Sequence, residues 1–370
     1  MARRRAALLV SSRSVTGTPP LLWLEGSSVN ELRQFQTSVP PPGRHGISSS
    51  GADTTESPDA TATLESSRRN TLDPSFQAGR GGGGALGFSQ AMDPTDFRRA
   101  SQAVWDAMAP GWDRRHAYLE EIARPVTERM LERLAPGRGE AILELAAGSG
   151  VVGFAAAGLV GPGGRVIISD FSEGMVEAAR RHAHELGLEN VECRVMDAEA
   201  IDLHDEAFDG VLCRWGYMLM ADPSAAFAET RRVLRRGGRL SCAVFTGPEQ
   251  NPWAALPSRV LQERGHMPPP EAGAPGIFAL ADRERLRQLF AGAGFSEPQI
   301  DDVAFTWPFR DIDDYWEFLN SAAGGIAIVL GRLHEDELRQ IREQIAERVA
   351  SFAGAGGIEL PAISLVVSAS

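Results

Sequence analysis

The residues with the clearest potential for chemistry form a glycine-rich turn at Gly148, Gly150 and Gly153, directly after a short apolar run. Glycines at such a turn let the backbone approach a ligand closely, and the start of the following helix supplies free N–H donors. The string G-x-G-x-x-G is also the fingerprint of dinucleotide-binding proteins, and Asp170 stands 20 residues after Gly150, as an acid does in that fingerprint. The turn therefore predicts a site for a ligand with a polar or charged group.

Glu144, four residues before Gly148, separates the two cofactors that such a turn could bind. A carboxylate there would face a pyrophosphate unfavourably, whereas the sulfonium and ammonium groups of S-adenosylmethionine are cations that it would stabilise. Charge therefore favours the methyl donor. The glycine string alone leaves an NAD(P)-binding oxidoreductase as the alternative, and a non-catalytic binding protein that keeps the same fold is a third hypothesis.

Four motifs in register resemble the class I S-adenosylmethionine-dependent methyltransferases, in particular the ubiquinone and menaquinone methyltransferase-like group (methyltransferase type 11). They are E-x-x-x-G-x-G from Glu144, VIISDFSEGMVEAAR at 166–180, the tripeptide MDA at 196–198 and FDGVLCRWG at 208–216. The resemblance covers about residues 97–369. It implies an enzyme that uses S-adenosylmethionine to methylate carbon or oxygen in a small quinone-, lipid- or natural-product-like acceptor.

The resemblance also assigns residues to the adenosine part of S-adenosylmethionine. Asp170 would hold both ribose hydroxyls, since a carboxylate has two acceptor oxygens for a vicinal diol. Phe171 and Met175 would pack on the adenine. Asp197 and the backbone of Ala198 would bind its exocyclic amine and ring nitrogen.

For the methionine part, the resemblance implies that Gly148 and Gly150 make room and that Arg214 lies near the carboxylate or at the mouth of the acceptor site. Each residue also has a purely structural interpretation: a helix cap for Asp170, a turn for Asp197, or a surface ion pair for Arg214. The full expected cofactor site comprises Glu144, Ala146, Gly148, Gly150, Asp170, Phe171, Met175, Asp197, Ala198 and Arg214.

No residue stands out as a catalytic base, so the catalytic group stays unknown at this stage. The candidates are His116, His182, His184 and His204, and we interpret each as a surface histidine. Arg214 is followed by Trp-Gly-Tyr rather than by the N-P-P-[FY] tetrapeptide of amine-directed methyltransferases, which argues against nucleic-acid or protein amide targets. No H-x-x-x-H spacing occurs, and we expect no metal.

The elements that must position these residues alternate from residue 141 onward between short apolar runs and helical segments, which is typical of a parallel sheet covered on both faces. We predict a Rossmann-like, doubly wound α/β sheet of about seven strands, with an antiparallel last strand preceded by a helical insertion. The predicted strands are 141–145, 165–170, 191–195, 208–214, 239–245, 299–306 and 363–369. The predicted helices include 172–186, 224–234 and 281–293, with Gly187 and Gly237 as stops and an irregular, proline-rich crossover after Phe245.

Aromatic residues cluster in two segments that we expect to roof the acceptor pocket. One is the N-terminal helical region with Trp105, Trp112 and Tyr118, and the other is an acceptor-lid insertion at about 307–353. Aromatic walls suit a planar or lipid-like small molecule. Alternatively, the rings of the insertion, Trp307, Phe309, Tyr315, Trp316 and Phe318, only pack it on the sheet.

The domain organisation predicted from composition is a leader at 1–91, disordered or non-native, followed by one domain at 92–370 with its core at 138–247. The leader is rich in Ser, Thr, Pro and Gly, and Met92 begins a plausible natural start. Its Arg- and Ser-rich opening would indicate an organelle if genuine; otherwise we expect a cytoplasmic protein, because the three cysteines form no disulfide pattern.

The charge of the chain limits its partners. Its 370 residues carry a net charge of −12, which gives no attraction to nucleic acid, and no apolar run approaches a membrane span. All 37 basic residues are arginine, so a Schiff-base or P-loop lysine is excluded. We expect a small-molecule acceptor, no nucleic-acid partner and no membrane span. A homodimer is compatible with the sequence.

Overall fold

The computed structural model describes residues 93–271 and 273–370. The predicted leader at 1–91 and the start at Met92 lie outside the described residues. No helix in the described ranges is both long and apolar enough to span a membrane.

The described chain forms an eight-stranded sheet with the order β3-β2-β1-β4-β5-β8-β6, and β7 pairs with β8. Strands β1 to β5 pair in parallel, whereas β8 runs antiparallel to both β5 and β6. The strands are β1 (Ala141–Glu144), β2 (Arg165–Asp170), β3 (Val191–Val195), β4 (Phe208–Arg214), β5 (Leu234–Phe245), β6 (Gln299–Phe309), β7 (Ala353–Gly354) and β8 (Gly357–Ala369).

Helices connect these strands and extend the domain at its N-terminal side. They are α1 (Pro94–Arg114), α2 (His116–Leu134), α3 (Val151–Val160), α4 (Glu173–Glu185), α5 (Pro223–Val233), α6 (Pro252–Glu263), α7 (Arg283–Gly292), α8 (Ile312–Ser321), α9 (Gly325–Leu330) and α10 (Glu335–Val349). Short side chains define several starts: Asp93 accepts a hydrogen bond from Thr95 N at the beginning of α1, and Ser172 accepts one from Met175 N at the beginning of α4.

The predicted fold class is confirmed. Every residue of β1 is buried, as is every residue of β2 after Arg165, which is the pattern of parallel strands covered on both faces. The last strand is antiparallel, and three helices of the insertion, α8 to α10, precede it. The strand before the insertion runs to Phe309 rather than to the predicted residue 306, so the first residues of the predicted lid, 307–309, belong to β6.

Gly237 does not end a helix, contrary to the prediction. Helix α5 ends at Val233 and β5 begins at Leu234, five residues earlier than expected. The pairing of β4 with β5 shifts register between Leu234 and Arg239, and Gly237 with its φ of +76° lies in this bulge. Four residues of β5, 235–238, stand opposite the single residue Asp209, and such an irregularity commonly uses the left-handed conformation that glycine adopts without strain.

The proline-rich crossover after Phe245 contains a regular helix, α6, which the sequence analysis missed. Pro252 lies in the first turn, where its missing N–H is not needed. Pro257 lies inside the helix and leaves the carbonyl of Trp253 without its helical donor. The hydroxyl of Tyr315 on α8 donates to that carbonyl at 2.5 Å. A tertiary contact thus replaces the lost helical hydrogen bond.

Candidate active site

A cavity lies at the carboxyl ends of β1, β2 and β4. The strand order reverses between β1 and β4, and open parallel sheets bind ligands outside such a switch point. The turns that follow these strands form one side of the cavity, and one face of α1 forms the other.

Nine of the ten residues expected from the sequence line this cavity. They are Glu144, Ala146, Gly148, Asp170, Phe171, Met175, Asp197, Ala198 and Arg214. Gly150 is not on the wall; it is the N-cap of α3, with φ of +90°, and a Cβ there would lie 2.6 Å from the ring of Phe154. The structure thus brings the predicted residues together, while their roles stay predictions.

The glycine turn adopts the left-handed backbone that its sequence allows. Gly148 has φ of +55° and Ala146 has φ of +49°. The amide N–H of Gly148 donates to Asp170 at 2.9 Å, which ties the turn after β1 to the end of β2. The turn is therefore fixed on the cavity wall by a charge-assisted hydrogen bond.

Two carboxyl groups, those of Glu144 and Asp170, are buried at this wall. Glu144 is 1% exposed and accepts a hydrogen bond from Gly153 N at 2.7 Å. Burial raises the pKa of Glu144 to about 8, although the Arg214 guanidinium lowers it in part. Burial likewise raises the pKa of Asp170 to about 6, against the hydrogen bonds from the amides of Ser172 and Gly148. A cation in the cavity would stabilise the ionised form of both groups.

Several residues of the cavity wall also serve the local structure. Asp197 accepts a hydrogen bond from the amide of Glu199 at 2.8 Å, so the interpretation as a turn residue holds beside its place on the wall. Met175 is 1% exposed and belongs to the core as well. Asp170 is not the cap of α4, because Ser172 occupies that position.

Arg214 reaches across the cavity wall towards α2 rather than pairing with a surface acid. Its Nη1 donates to Thr127 Oγ1 at 2.7 Å, and its guanidinium carbon lies 5.0 Å from the centroid of the Trp215 ring. Burial lowers the pKa of Arg214 to about 10, opposed by the charges of Glu144 and Glu120. It is therefore a cation at neutral pH on the same wall as Glu144.

From the sequence we expected two residues of α1, Trp105 and Trp112, at the pocket. In the structure, five residues on one face of this helix line the cavity. The lining residues of α1 are Phe97, Arg98, Ser101, Trp105 and Trp112. The first, third and fourth of these are spaced by four residues, a signal of one helical face that could have identified them. Gln102 donates to the carbonyl of Phe171 at 2.7 Å, and Arg98 Nε lies 3.6 Å from Glu199.

The turn after β4 supplies the remaining apolar part of the wall, with Trp215, Gly216, Leu219, Met220 and Ala221. Trp215 has φ of +60°, an uncommon conformation for a bulky residue. Its Nε1 donates to Ser364 at 2.9 Å, and its ring stacks on Phe245 with centroids 4.8 Å apart. These contacts hold the ring at the border between the cavity and the core.

The aromatic residues of the insertion and of β6 pack against each other and are absent from the described cavity wall. Trp307, Phe309, Tyr315 and Phe318 are each at most 2% exposed. The insertion instead supports α1, because Trp112 Nε1 donates to the carbonyl of Ala322 at 3.1 Å. Of the two roofing segments, the N-terminal helix lines the cavity and the insertion lies behind it.

Comparison with known proteins gives consistent matches. A family profile for a methyltransferase domain matches residues 142–238. The chain is 31% identical over 207 residues to a demethylmenaquinone methyltransferase of Clavibacter sepedonicus, covering 52% of this chain and 81% of that one. It is 32% identical over 241 residues to a nocamycin O-methyltransferase of Saccharothrix syringae, covering 58% and 84%.

A third relative is the ubiquinone/menaquinone biosynthesis C-methyltransferase UbiE of Cronobacter sakazakii, 30% identical over 168 residues, with 43% of this chain and 67% of that one covered. All three relatives are methyltransferases, in agreement with the four motifs and against the oxidoreductase and non-catalytic alternatives. The chain belongs to the class I S-adenosylmethionine-dependent methyltransferases and is an enzyme of the ubiquinone and menaquinone methyltransferase-like group.

Proposed function

We propose that this enzyme binds S-adenosylmethionine in the described cavity and transfers its methyl group to carbon or oxygen of a planar or lipid-like small molecule. The observation that carries the proposal is the pair of buried carboxyl groups, Glu144 and Asp170, on either side of the left-handed glycine turn. This donor set suits a ligand that combines a diol with a positive charge.

Asp170 fits the ribose because both of its oxygens keep acceptor capacity. Oδ1 already accepts the N–H of Ser172 at 3.0 Å, and Oδ2 accepts that of Gly148 at 2.9 Å. Each carboxylate oxygen has a second lone pair, which one ribose hydroxyl would use. Phe171 and Met175 then provide apolar surface for the adenine.

At the base-binding end, Asp197 and the backbone of Ala198 supply polar atoms for the amine and ring nitrogen of adenine. Both residues line the cavity, and Arg98 on α1 faces them, with Nη1 at 4.0 Å from Asp197. This arrangement would hold the adenine between α1 and the turn after β3.

Glu144 fits the cationic methionine part of the cofactor. Its carboxyl group is buried, and a nearby cation would favour its ionised form. Arg214, on the same wall, is suited to the methionine carboxylate or to an oxygen of the acceptor. Opposite charges on one wall would orient a zwitterion.

When bound, S-adenosylmethionine supplies a methyl group on a sulfonium with a neutral leaving group, so the protein contributes mainly positioning and exclusion of water. Trp105 and Trp112 of α1 lie over the cavity, and the ring of Trp112 lies 3.4 Å from where a Cβ of Gly148 would be. Arg214 near an acceptor hydroxyl would stabilise its deprotonated, nucleophilic form.

We assign the acceptor to the apolar part of the cavity wall, which includes Trp105, Trp112, Trp215, Leu219 and Met220. Such a surface suits a flat ring system or an acyl chain rather than a nucleotide or a peptide. The relatives support the same class, since their names refer to demethylmenaquinone, nocamycin, ubiquinone and menaquinone.

Transfer of isotope-labelled methyl from S-adenosylmethionine tests the proposal. The full chain is incubated with a panel of hydroxylated naphthoquinones and phenols, and in parallel with duplex DNA and denatured protein. We expect label in the organic extract of the small-molecule reactions. Label only in macromolecules, or in no acceptor of a broad metabolite extract, would contradict the proposed acceptor class.

A further inference from the structure

A hydrogen bond joins the glycine turn to the first residue of α2, outside the cavity wall. His116 Nδ1 lies 2.7 Å from Ser149 Oγ, and Ser149 is 2% exposed. Ser149 stands between Gly148 and Gly150, whose φ values are +55° and +90°. Both neighbours of Ser149 are glycines, which have unusual backbone freedom. The Ser149 hydroxyl is therefore the only side-chain group of this tripeptide that can form a hydrogen bond.

The His116 ring is itself held from two other helices, so it does not match the surface histidine expected from the sequence. It stacks on the ring of His182 of α4 with centroids 3.9 Å apart and an interplanar angle of 16°. His182 Nε2 lies 2.8 Å from Asp113 Oδ1 of α1, and the other Asp113 oxygen accepts a hydrogen bond from Arg181 at 2.7 Å. We call His116, His182 and Asp113 the histidine stack.

We propose that His116 is a positioning residue, which through Ser149 holds the glycine turn in the conformation that receives the methionine part of S-adenosylmethionine. The inference rests on the proposed function, because it assigns the turn to that cofactor. The histidine stack connects α1 and α4 to the glycine turn. It therefore fixes the position of α1, which forms one side of the cavity, relative to the turn on the other side.

The surroundings of the ring favour positioning over proton transfer. His116 does not line the cavity, and the titratable groups that act on it come from three elements: Asp113 of α1, His182 of α4 and Arg214 of β4. Burial lowers the pKa of His116 to about 4, with His182 and Arg214 acting in the same direction and Asp113 opposing them. The ring is thus neutral at physiological pH and serves as a hydrogen-bond partner.

The test measures the Kd of the full chain for S-adenosylmethionine by calorimetry in a set of matched variants. Ser149→Ala removes the hydroxyl, His116→Phe keeps the stacked ring without a nitrogen, and His116→Asn offers a polar atom close to the position of Nδ1. His184→Asn, an exposed position on the same α4, is the control. Thermal melting of each variant reports whether it is folded.

Loss of one hydrogen bond to an ordered turn predicts a rise in Kd of about fivefold to tenfold for Ser149→Ala and for His116→Phe. The double variant should bind no more weakly than either single variant, because both changes break the same contact. His116→Asn should recover most of the affinity, and the control should match the wild type. A purely structural role would lower the melting temperature without this pattern in Kd.

Wild-type affinity in folded Ser149→Ala and His116→Phe, or additive effects in the double variant, would overturn the inference alone. A wild type that binds no S-adenosylmethionine would overturn the proposed function and this inference with it. If His116→Phe fails to fold, Ser149→Ala and His116→Asn decide: the first should weaken binding and the second should not, and wild-type affinity in Ser149→Ala would overturn the inference.

Discussion

At the scale of single residues, Asp170 makes the most specific contribution to the proposed complex, because its two carboxylate oxygens can accept from both hydroxyls of a vicinal diol. Replacing it with Asn keeps the size and one acceptor, but it removes the charge and turns an NH2 group towards one of the two backbone amides that now donate to the carboxylate. We expect Asp170→Asn to raise the Kd for S-adenosylmethionine by tenfold or more, equivalent to ~1.4 kcal/mol. Calorimetry on this variant and on Asp202→Asn, an exposed carboxylate, provides the comparison. Equal affinity in the two variants would remove Asp170 from the site.

The raised pKa values of Glu144 and Asp170 predict how cofactor binding depends on pH. Without a cation, these groups hold protons up to about pH 8 and about pH 6 respectively. A cationic ligand prefers their ionised forms, so binding releases protons, and affinity rises with pH until both groups are ionised without the ligand.

Calorimetry at pH 7 in two buffers of different ionisation enthalpy measures this proton release directly. We expect the observed heat to depend on the buffer for the wild type, and the dependence to shrink in Glu144→Gln, which keeps an acceptor for Gly153 N. Equal heats in both buffers would show that binding of the ligand does not change the ionisation of Glu144.

At the scale of elements, the turns after β1 and β4 touch at Gly216. A Cβ added there would lie 2.5 Å from the Cβ of Ala146 and 2.7 Å from Cys213 Sγ. Gly216→Ala must therefore push the glycine turn away from β4, and we expect both lower stability and weaker cofactor binding. Gly158→Ala is the matched control, because nothing lies within 4 Å of its added Cβ on the exposed side of α3.

The two glycine substitutions should move the melting temperature in opposite directions. Alanine at Gly158 lowers the backbone entropy of the unfolded chain and should stabilise the protein by roughly 0.5–1 kcal/mol. Thermal melting and S-adenosylmethionine titration of both variants check this. Unchanged stability and affinity in Gly216→Ala would mean that the two turns are not in rigid contact.

The elements that could be predicted from sequence are those whose local pattern agrees with their tertiary setting. The strands β1, β2 and β4 are largely buried runs that end at a polar residue, and the bounds of β1 to β4 were correct to within one residue. Helix α6 was missed because its prolines argue against a helix, and the carbonyl that Pro257 leaves without a donor is satisfied by the Tyr315 hydroxyl, 58 residues beyond that proline in sequence. The bulge at Gly237 likewise depends on the pairing of β4 with β5.

The candidate site likewise contains residues that could be predicted from the sequence and residues that could not. Residues at strand ends could be predicted, because topology alone brings them to one edge of the sheet. The face of α1 and the His116 contact could not, because they depend on where a helix outside the sheet docks. Ser149 and His116 are 33 residues apart, and no local spacing links them.

At the scale of the whole molecule, a ligand that binds only the folded state raises its stability. At a concentration 100-fold above Kd, S-adenosylmethionine should add about 2.7 kcal/mol. For a domain of this size we expect the melting temperature to rise by several degrees. Thermal melting with and without cofactor measures this, and NADH at the same concentration should cause no shift. A shift with NADH alone would favour the oxidoreductase alternative.

The acceptor follows less directly than the donor, because the part of the cavity proposed for it is assembled from α1 and the turn after β4. Apolar side chains such as Leu219 and Met220 constrain shape and polarity but identify no chemical group. The net charge of −12 still argues against a polyanionic acceptor.

The most direct test of the account is a calorimetric titration of the purified full chain with S-adenosylmethionine at neutral pH. The account predicts saturable binding of one cofactor molecule per chain, lost or greatly weakened in Asp170→Asn. Absence of any binding heat at millimolar S-adenosylmethionine, in two buffers and at two temperatures, would contradict the central claim that the cavity beside Glu144 and Asp170 binds the methyl donor.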